Sequence, residues 1–77
     1  MKIEDANKAV IGELLKALDN NKKAFSCYHH GYAVILEELD ELWEEVKKKP
    51  RDRNKDALRE EAMQVAAMGI RFMVDLT

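Results

Sequence analysis

Three stretches of the chain space their large apolar residues three and four positions apart, which gathers those side chains on one face of a helix. They run over Ile3–Leu18, Tyr28–Lys48 and Asn54–Leu76. Between the first two, "LDNNKK" (Leu18–Lys23) clusters Asp and Asn. Between the last two, "KKKPRDRNKD" (Lys47–Asp56) holds the only proline of the sequence. Both clusters favour turns over a continued helix. Ser26 is the candidate N-cap of the second helix, and Asn54 or Asp52 that of the third. Lys47, Lys48 and Lys49 put cations where a helix C-terminus favours them. No strand-like alternation and no internal repeat competes with this pattern. The predicted fold class is therefore all-α, an antiparallel helical bundle of three main helices in a single domain over residues 1–77.

Wheels at about 100° per residue give each helix its faces. The first carries a stripe of Ile3, Ala6, Val10, Leu14, Ala17 and Leu18, with Ile11 and Leu15 as a further apolar flank. On the second, Tyr32, Ile35, Leu36, Leu39, Leu42, Trp43 and Val46 form one stripe, and Tyr32 and Trp43 read as core. Glu38, Glu41 and Glu45 border that stripe on one side, whereas Glu37, Asp40 and Glu44 lie away from it. The third helix has a main stripe of Leu58, Ala62, Val65, Met68, Gly69, Phe72 and Leu76. Glu61 falls inside it and Gln64 at its edge, while Arg59, Glu60 and Arg71 read as surface charges. Met63, Ala67, Ile70 and Val74 make the opposite side apolar too. A helix apolar on two sides is buried on two sides, and a second subunit is the simplest cover for the extra face.

Composition bounds the function. A chain of 77 residues that is 47% hydrophobic holds one domain, and at this size buries only about 60% of its unfolded surface. Assembly into a homodimer or homotetramer is the expected support. A net charge of −2, with basic residues confined to loops and helix ends, argues against a nucleic-acid partner. Cys27 is the single cysteine, which leaves no disulfide or cysteine metal cluster and suits a reducing cytoplasm. With no signal peptide and no run of ~18 apolar residues, no membrane association is expected.

The acids carry the chemistry. Two carboxylates at i and i+3, facing a third from another helix, can share a hard divalent cation such as Mg²⁺, which prefers oxygen ligands and bridges to phosphate. Glu38 and Glu41 are such a pair, Glu45 extends it by a turn, and Glu61 would face them. Left alone, such acids repel one another and raise each other's pKa. The plain alternative is that Glu38, Glu41 and Glu45 are solvated, and that Glu61 meets a cation such as Lys16 or an opening to water.

These residues resemble the MazG-like, all-α nucleoside triphosphate pyrophosphohydrolases. Glu37-Glu38-Leu39-Asp40-Glu41 matches that family's EExxE motif. Its partner motif, ExxD, lies on a following helix, and here nineteen residues separate Glu41 from Glu61, within the family's range. The texts "HHGYAVILEELDELWEEV" and "REEAMQVAAMGIRFMVDL" look similar to small members of it, over residues 29–76. One position departs: Gln64 stands where the motif ends in Asp, so the second motif reads Glu-x-x-Gln. An amide oxygen can ligate Mg²⁺ but adds no charge and is no base. Family members also commonly carry a fourth helix, for which this chain has little room.

The resemblance implies a Mg²⁺-dependent enzyme, with Mn²⁺ as a possible substitute, that hydrolyses an NTP or dNTP to the monophosphate and pyrophosphate. Glu38, Glu41 and Glu61 would be the chief ligands and Gln64 a weaker one, with Glu45, or else Glu37, orienting water. Lys22 and Lys23 in the first loop and Arg51, Arg53 and Lys55 in the second are candidates for the phosphates. His29, His30 and Tyr28 are candidate contacts to phosphate or base. The alternative function is a helical oligomerisation or regulatory module of the same fold without efficient catalysis, favoured by Gln64 and the short length.

Overall fold

The computed structural model describes residues 1–21 and 23–77. Three α-helices form, α1 (Ile3–Asn20), α2 (Tyr28–Val46) and α3 (Lys55–Leu76), with a short 3₁₀ turn at Pro50–Asp52. Among the described residues there is no strand, and no helix is long and apolar enough to cross a membrane. The expected boundaries hold to within two residues. Asn54 caps α3, its Oδ1 accepting from the backbone N–H of Asp56 and Ala57 at 2.8 and 3.1 Å, which satisfies two of the donors a helix start leaves free. The cap of α2 is one residue later than expected: Cys27 Sγ, not Ser26, accepts from the His30 N–H.

α3 is the central element. α1 packs on one side of it and α2 on the other, and the described residues of α1 and α2 do not pack on each other. Glu13 reaches Gln64, and the Asn21 carbonyl reaches Arg71, so α1 runs parallel to α3. Gly31 lies against Phe72 and Leu76, and Glu38 lies against Glu61, so α2 runs antiparallel to it. The arrangement is up-down-up and flattened, with extents of 40 × 27 × 20 Å. The two-sided burial expected of α3 is thus met largely within one chain, with α1 over Met63, Ala67 and Ile70. Val74 alone of that set is left in water.

The apolar surplus lies instead on α2. Tyr32 and Trp43, expected in the core, are 64% and 57% exposed. Leu36, Leu39 and Val46 are exposed beside them. α2 is rotated so that Gly31, Val34, Ile35, Glu38, Leu42 and Glu45 turn inward. One cause is visible. A Cβ on residue 31 would come within 2.6 Å of the Phe72 ring, so only glycine permits this close approach. The rotation also brings the acid edge, not the middle of the apolar stripe, onto α3.

The buried core is correspondingly small. It holds Leu14, Phe25, Ala67 and Met68, with Val10, Ala17, Leu18, Val34, Ile35, Ile70, Phe72 and Leu76 packed around it. The accessible surface is 5835 Å², whereas a compact monomer of 8.9 kDa has about 4,800 Å² by the usual mass scaling.

Arg71 also departs from expectation. It is a buried cation, 4% exposed, where the sequence pattern made it a surface charge. Its Nε donates to Asp75 Oδ2 at 3.2 Å, and Nη2 donates to the carbonyls of Asn21, at 3.0 Å, and Lys23. Its guanidinium lies 5.0 Å from the centroid of the Phe25 ring. Asp75 Oδ2 in turn accepts the Phe25 N–H at 3.0 Å. The pair clasps the α1–α2 connection to α3 and satisfies backbone groups that a loop folded inward would otherwise leave unpaired.

Candidate metal centre

The rotation of α2 decides where its acids stand. Glu38, Glu41 and Glu61 each offer a carboxylate oxygen, and these three atoms lie within 4.8 Å of one another. Glu38 and Glu41 come from adjacent turns of α2 and Glu61 from the second turn of α3. Glu61 Oε2 is shut off from water and has no hydrogen-bond partner, although the residue as a whole is only half-buried. Lys16, the cation that might have paired with it, instead reaches Glu13 at 3.7 Å and is largely solvated.

The electrostatics follow from this crowding. The Glu38 carboxyl is pushed up to about 7, first by burial, then by the charge of Glu41 and a carboxyl contact with it, and then by Glu61 and Glu37. Glu61 is also raised, by burial first, then by Glu41, and further by Glu45 and Glu60. No cation among the described residues forms an ion pair with Glu38, Glu41 or Glu61. Shared carboxylates of this kind are stable only if a proton or a cation sits among them. Three hard oxygen donors, among them a buried oxygen with no hydrogen-bond partner, fit a divalent cation of the Mg²⁺ or Mn²⁺ type.

The remaining predicted positions divide. Glu45 is half-buried on the same face of α2, and the ion pair with Lys48 at 2.6 Å occupies its carboxylate. Glu37 is exposed. Gln64 lies one turn beyond Glu61, and its Nε2 donates to Glu13 Oε1 at 2.6 Å. A cavity of about 460 Å³ opens between the end of α1, residues 23–26, α2 and α3, and both Glu38 and Gln64 line it. Lys23 and His30 are on its wall, but Arg51 and Arg53 are not. Arg53 is turned to the end of α2, donating to the Val46 carbonyl at 3.0 Å, and Arg51 is exposed beside Asp52. Lys22 lies outside the described residues. Lys55 is exposed at the start of α3.

His30 Nδ1 accepts the Ser26 N–H at 2.9 Å, so its neutral ring carries the proton on Nε2. Tyr28 stacks on Phe72 at 6.1 Å between ring centroids. With His29, Tyr32, Ile35 and Gly69 these two rings line a separate aromatic groove on the other face of α2.

Glu13 was missed by the sequence reading. It stands 51 residues from Gln64 in sequence, too far for a motif to include it. Its signal was positional: with Val10 three residues before it and Ala17 four after, it interrupts the buried face of α1 just as Glu61 interrupts that of α3.

No family model matches the chain, and neither a curated protein nor a solved structure matches it.

Proposed function

We propose that the protein is a divalent-cation-dependent nucleoside triphosphate pyrophosphohydrolase of the MazG-like type, cleaving an NTP or dNTP to the monophosphate and pyrophosphate. One observation carries the reading: three carboxylates from two helices converge within 4.8 Å, and among the described residues no cation pairs with them and one oxygen is buried without a partner. A bound Mg²⁺ or Mn²⁺ would supply charge neutralisation at the phosphates and an acidified water. The chain's own groups do the rest. Glu38, Glu41 and Glu61 hold the charged ligand positions and Gln64 a neutral one. Glu45, one turn beyond Glu41, holds the attacking water, and Lys48 steadies its carboxylate. The cavity at Glu38 has the size of an ordinary small-ligand pocket and gives the substrate room, with Lys23 on its wall.

The test is pyrophosphate release from a panel of NTPs and dNTPs with Mg²⁺ or Mn²⁺. Release that falls at least about 100-fold in Glu38→Gln and in Glu61→Gln is expected. No release from any nucleotide with either metal overturns the reading.

The working form is a homodimer or homotetramer in the cytoplasm. Support for assembly comes from Tyr32, Leu36, Leu39, Trp43 and Val46. They repeat at four and three residues along one exposed face of α2, the spacing of a helix–helix seam. The surface excess of about 1,000 Å² over a compact monomer is of the order one partner buries in a standard interface. The same seam favours the second reading, a helical oligomerisation module without efficient catalysis. An oligomer that Leu39→Glu dissolves, found together with no pyrophosphate release, would decide for it.

A further inference from the structure

The departure at Gln64 has a counterpart on α1. An ionised Glu13 carboxylate can only accept, so the half of the Gln64 amide facing it is the NH₂ group. Geometry agrees, with Nε2 at 2.6 Å from Glu13 Oε1. Glu13 is well placed to hold this orientation, since its side chain is only 15% exposed and is steadied from solvent by Lys16. With its nitrogen committed to α1, the planar amide turns its oxygen away from α1. Gln64 also lines the cavity that Glu38 lines, one turn along α3 from Glu61.

We infer that Glu13 is a positioning residue that fixes the Gln64 amide with its oxygen toward the acid cluster, so that Gln64 provides the fourth, neutral oxygen ligand. This rests on the cation reading of Glu38, Glu41 and Glu61. In this arrangement Glu13 touches neither cation nor substrate. Without it, the amide is free to turn its donating end to the cluster, where a cation would be repelled. The arrangement also explains why an amide is stable at position 64: an Asp there would set a carboxylate beside the Glu13 carboxylate.

The test is Mn²⁺ binding to the full chain, followed by loss of the free-ion paramagnetic resonance signal, with helix content and thermal midpoint measured alongside. Glu13→Ala should weaken Mn²⁺ binding about tenfold, the usual size for loss of a group that orients a metal ligand. Glu13→Gln, which keeps an accepting oxygen, should retain most of the affinity. In a Gln64→Asp background the sign should reverse, because Glu13→Ala then removes a like charge and tightens binding. A merely structural Glu13 would move both backgrounds in the same direction, and that result, or no change in either, overturns the inference. If Glu38→Gln abolishes binding while Glu13→Ala leaves it intact, the metal centre stands and only the role of Glu13 fails. If the native chain binds no Mn²⁺, both fail.

Discussion

The two ends of α3 each bury a charge, and they treat it in opposite ways. At the C-terminal end Arg71 is fully answered: a carboxylate, two backbone carbonyls and an aromatic face surround it. Toward the N-terminal end the charges that act on Glu61 are those of other acids, and one of its oxygens has no hydrogen-bond partner among the described residues. A buried charge with a complete set of partners is explained by the fold it holds together. A buried charge facing like charges opposes the fold unless a proton or a cation is held among them.

Removing the answered charge should have the largest effect on stability. Arg71→Met leaves Asp75 half-buried without its cation and frees two loop carbonyls, a loss of about 3–5 kcal/mol for a broken buried pair. Urea unfolding followed by circular dichroism would read it. A loss under about 1 kcal/mol would mean that the clasp is incidental to the placement of Lys23 and Phe25. Removing the unanswered charge should act with the opposite sign. Glu61→Gln takes one negative charge out of the cluster, so the metal-free protein should unfold at higher urea concentration even as Mn²⁺ binding is lost. A fall in the urea midpoint would show that the cluster is not strained.

The same comparison fixes a pH dependence. The Glu38 carboxyl is held near 7 in the folded chain, above its ordinary value near 4.3 in an unfolded one. Between those values the folded state therefore binds more protons, and metal-free stability must fall as pH rises. The contribution is fully present below about pH 4 and is lost as pH passes through about 7. Mn²⁺ affinity should run the other way, rising over the same interval as the proton is displaced. Glu38→Gln should flatten the stability slope between pH 5 and 7, read from urea midpoints. A variant with the native slope would place the proton elsewhere.

This contrast also explains which features were legible in the sequence. Helix count, turns and the Asn54 cap depend on local chemistry, and apolar spacing and turn residues report it directly. The convergence of Glu38, Glu41 and Glu61 was legible because Glu38 and Glu41 border one apolar stripe at helical spacing and Glu61 interrupts another. The rotation of α2 was not, since a wheel shows where the apolar residues are but not which of two neighbouring faces a close-packed glycine allows inward. Gly31 against Phe72 chose the acid edge and left Tyr32 and Trp43 in water. Arg71 was misjudged for a related reason. A guanidinium outside the apolar stripe looks like a surface charge until loop carbonyls some fifty residues away in sequence supply its partners. The bond from Gln64 to Glu13 is hidden by the same separation.

The smallest effects should come from two glycines, and they sharpen the difference in packing between the ends. Near Arg71, a Cβ on Gly31 would stand 2.6 Å from the Phe72 ring and 2.9 Å from Leu76 Cδ1. Near Glu13, a Cβ on Gly12 would meet nothing within 4 Å. Both glycines are inside helices, so alanine gains about 1 kcal/mol of helix propensity at either site. At Gly12 that gain stands alone, and Gly12→Ala should stabilise by up to about 1 kcal/mol. At Gly31 overpacking costs about 1–3 kcal/mol, so Gly31→Ala should destabilise by about 1 kcal/mol overall. The same urea titration measures both. It also tests the rotation of α2: if Gly31→Ala pushes α2 away from Phe72, the acid edge moves off α3 and Mn²⁺ binding weakens with stability. Gly12→Ala should leave Mn²⁺ binding unchanged. Stabilisation by both alanines would mean that the close approach at Gly31 does not set the face that α2 turns inward.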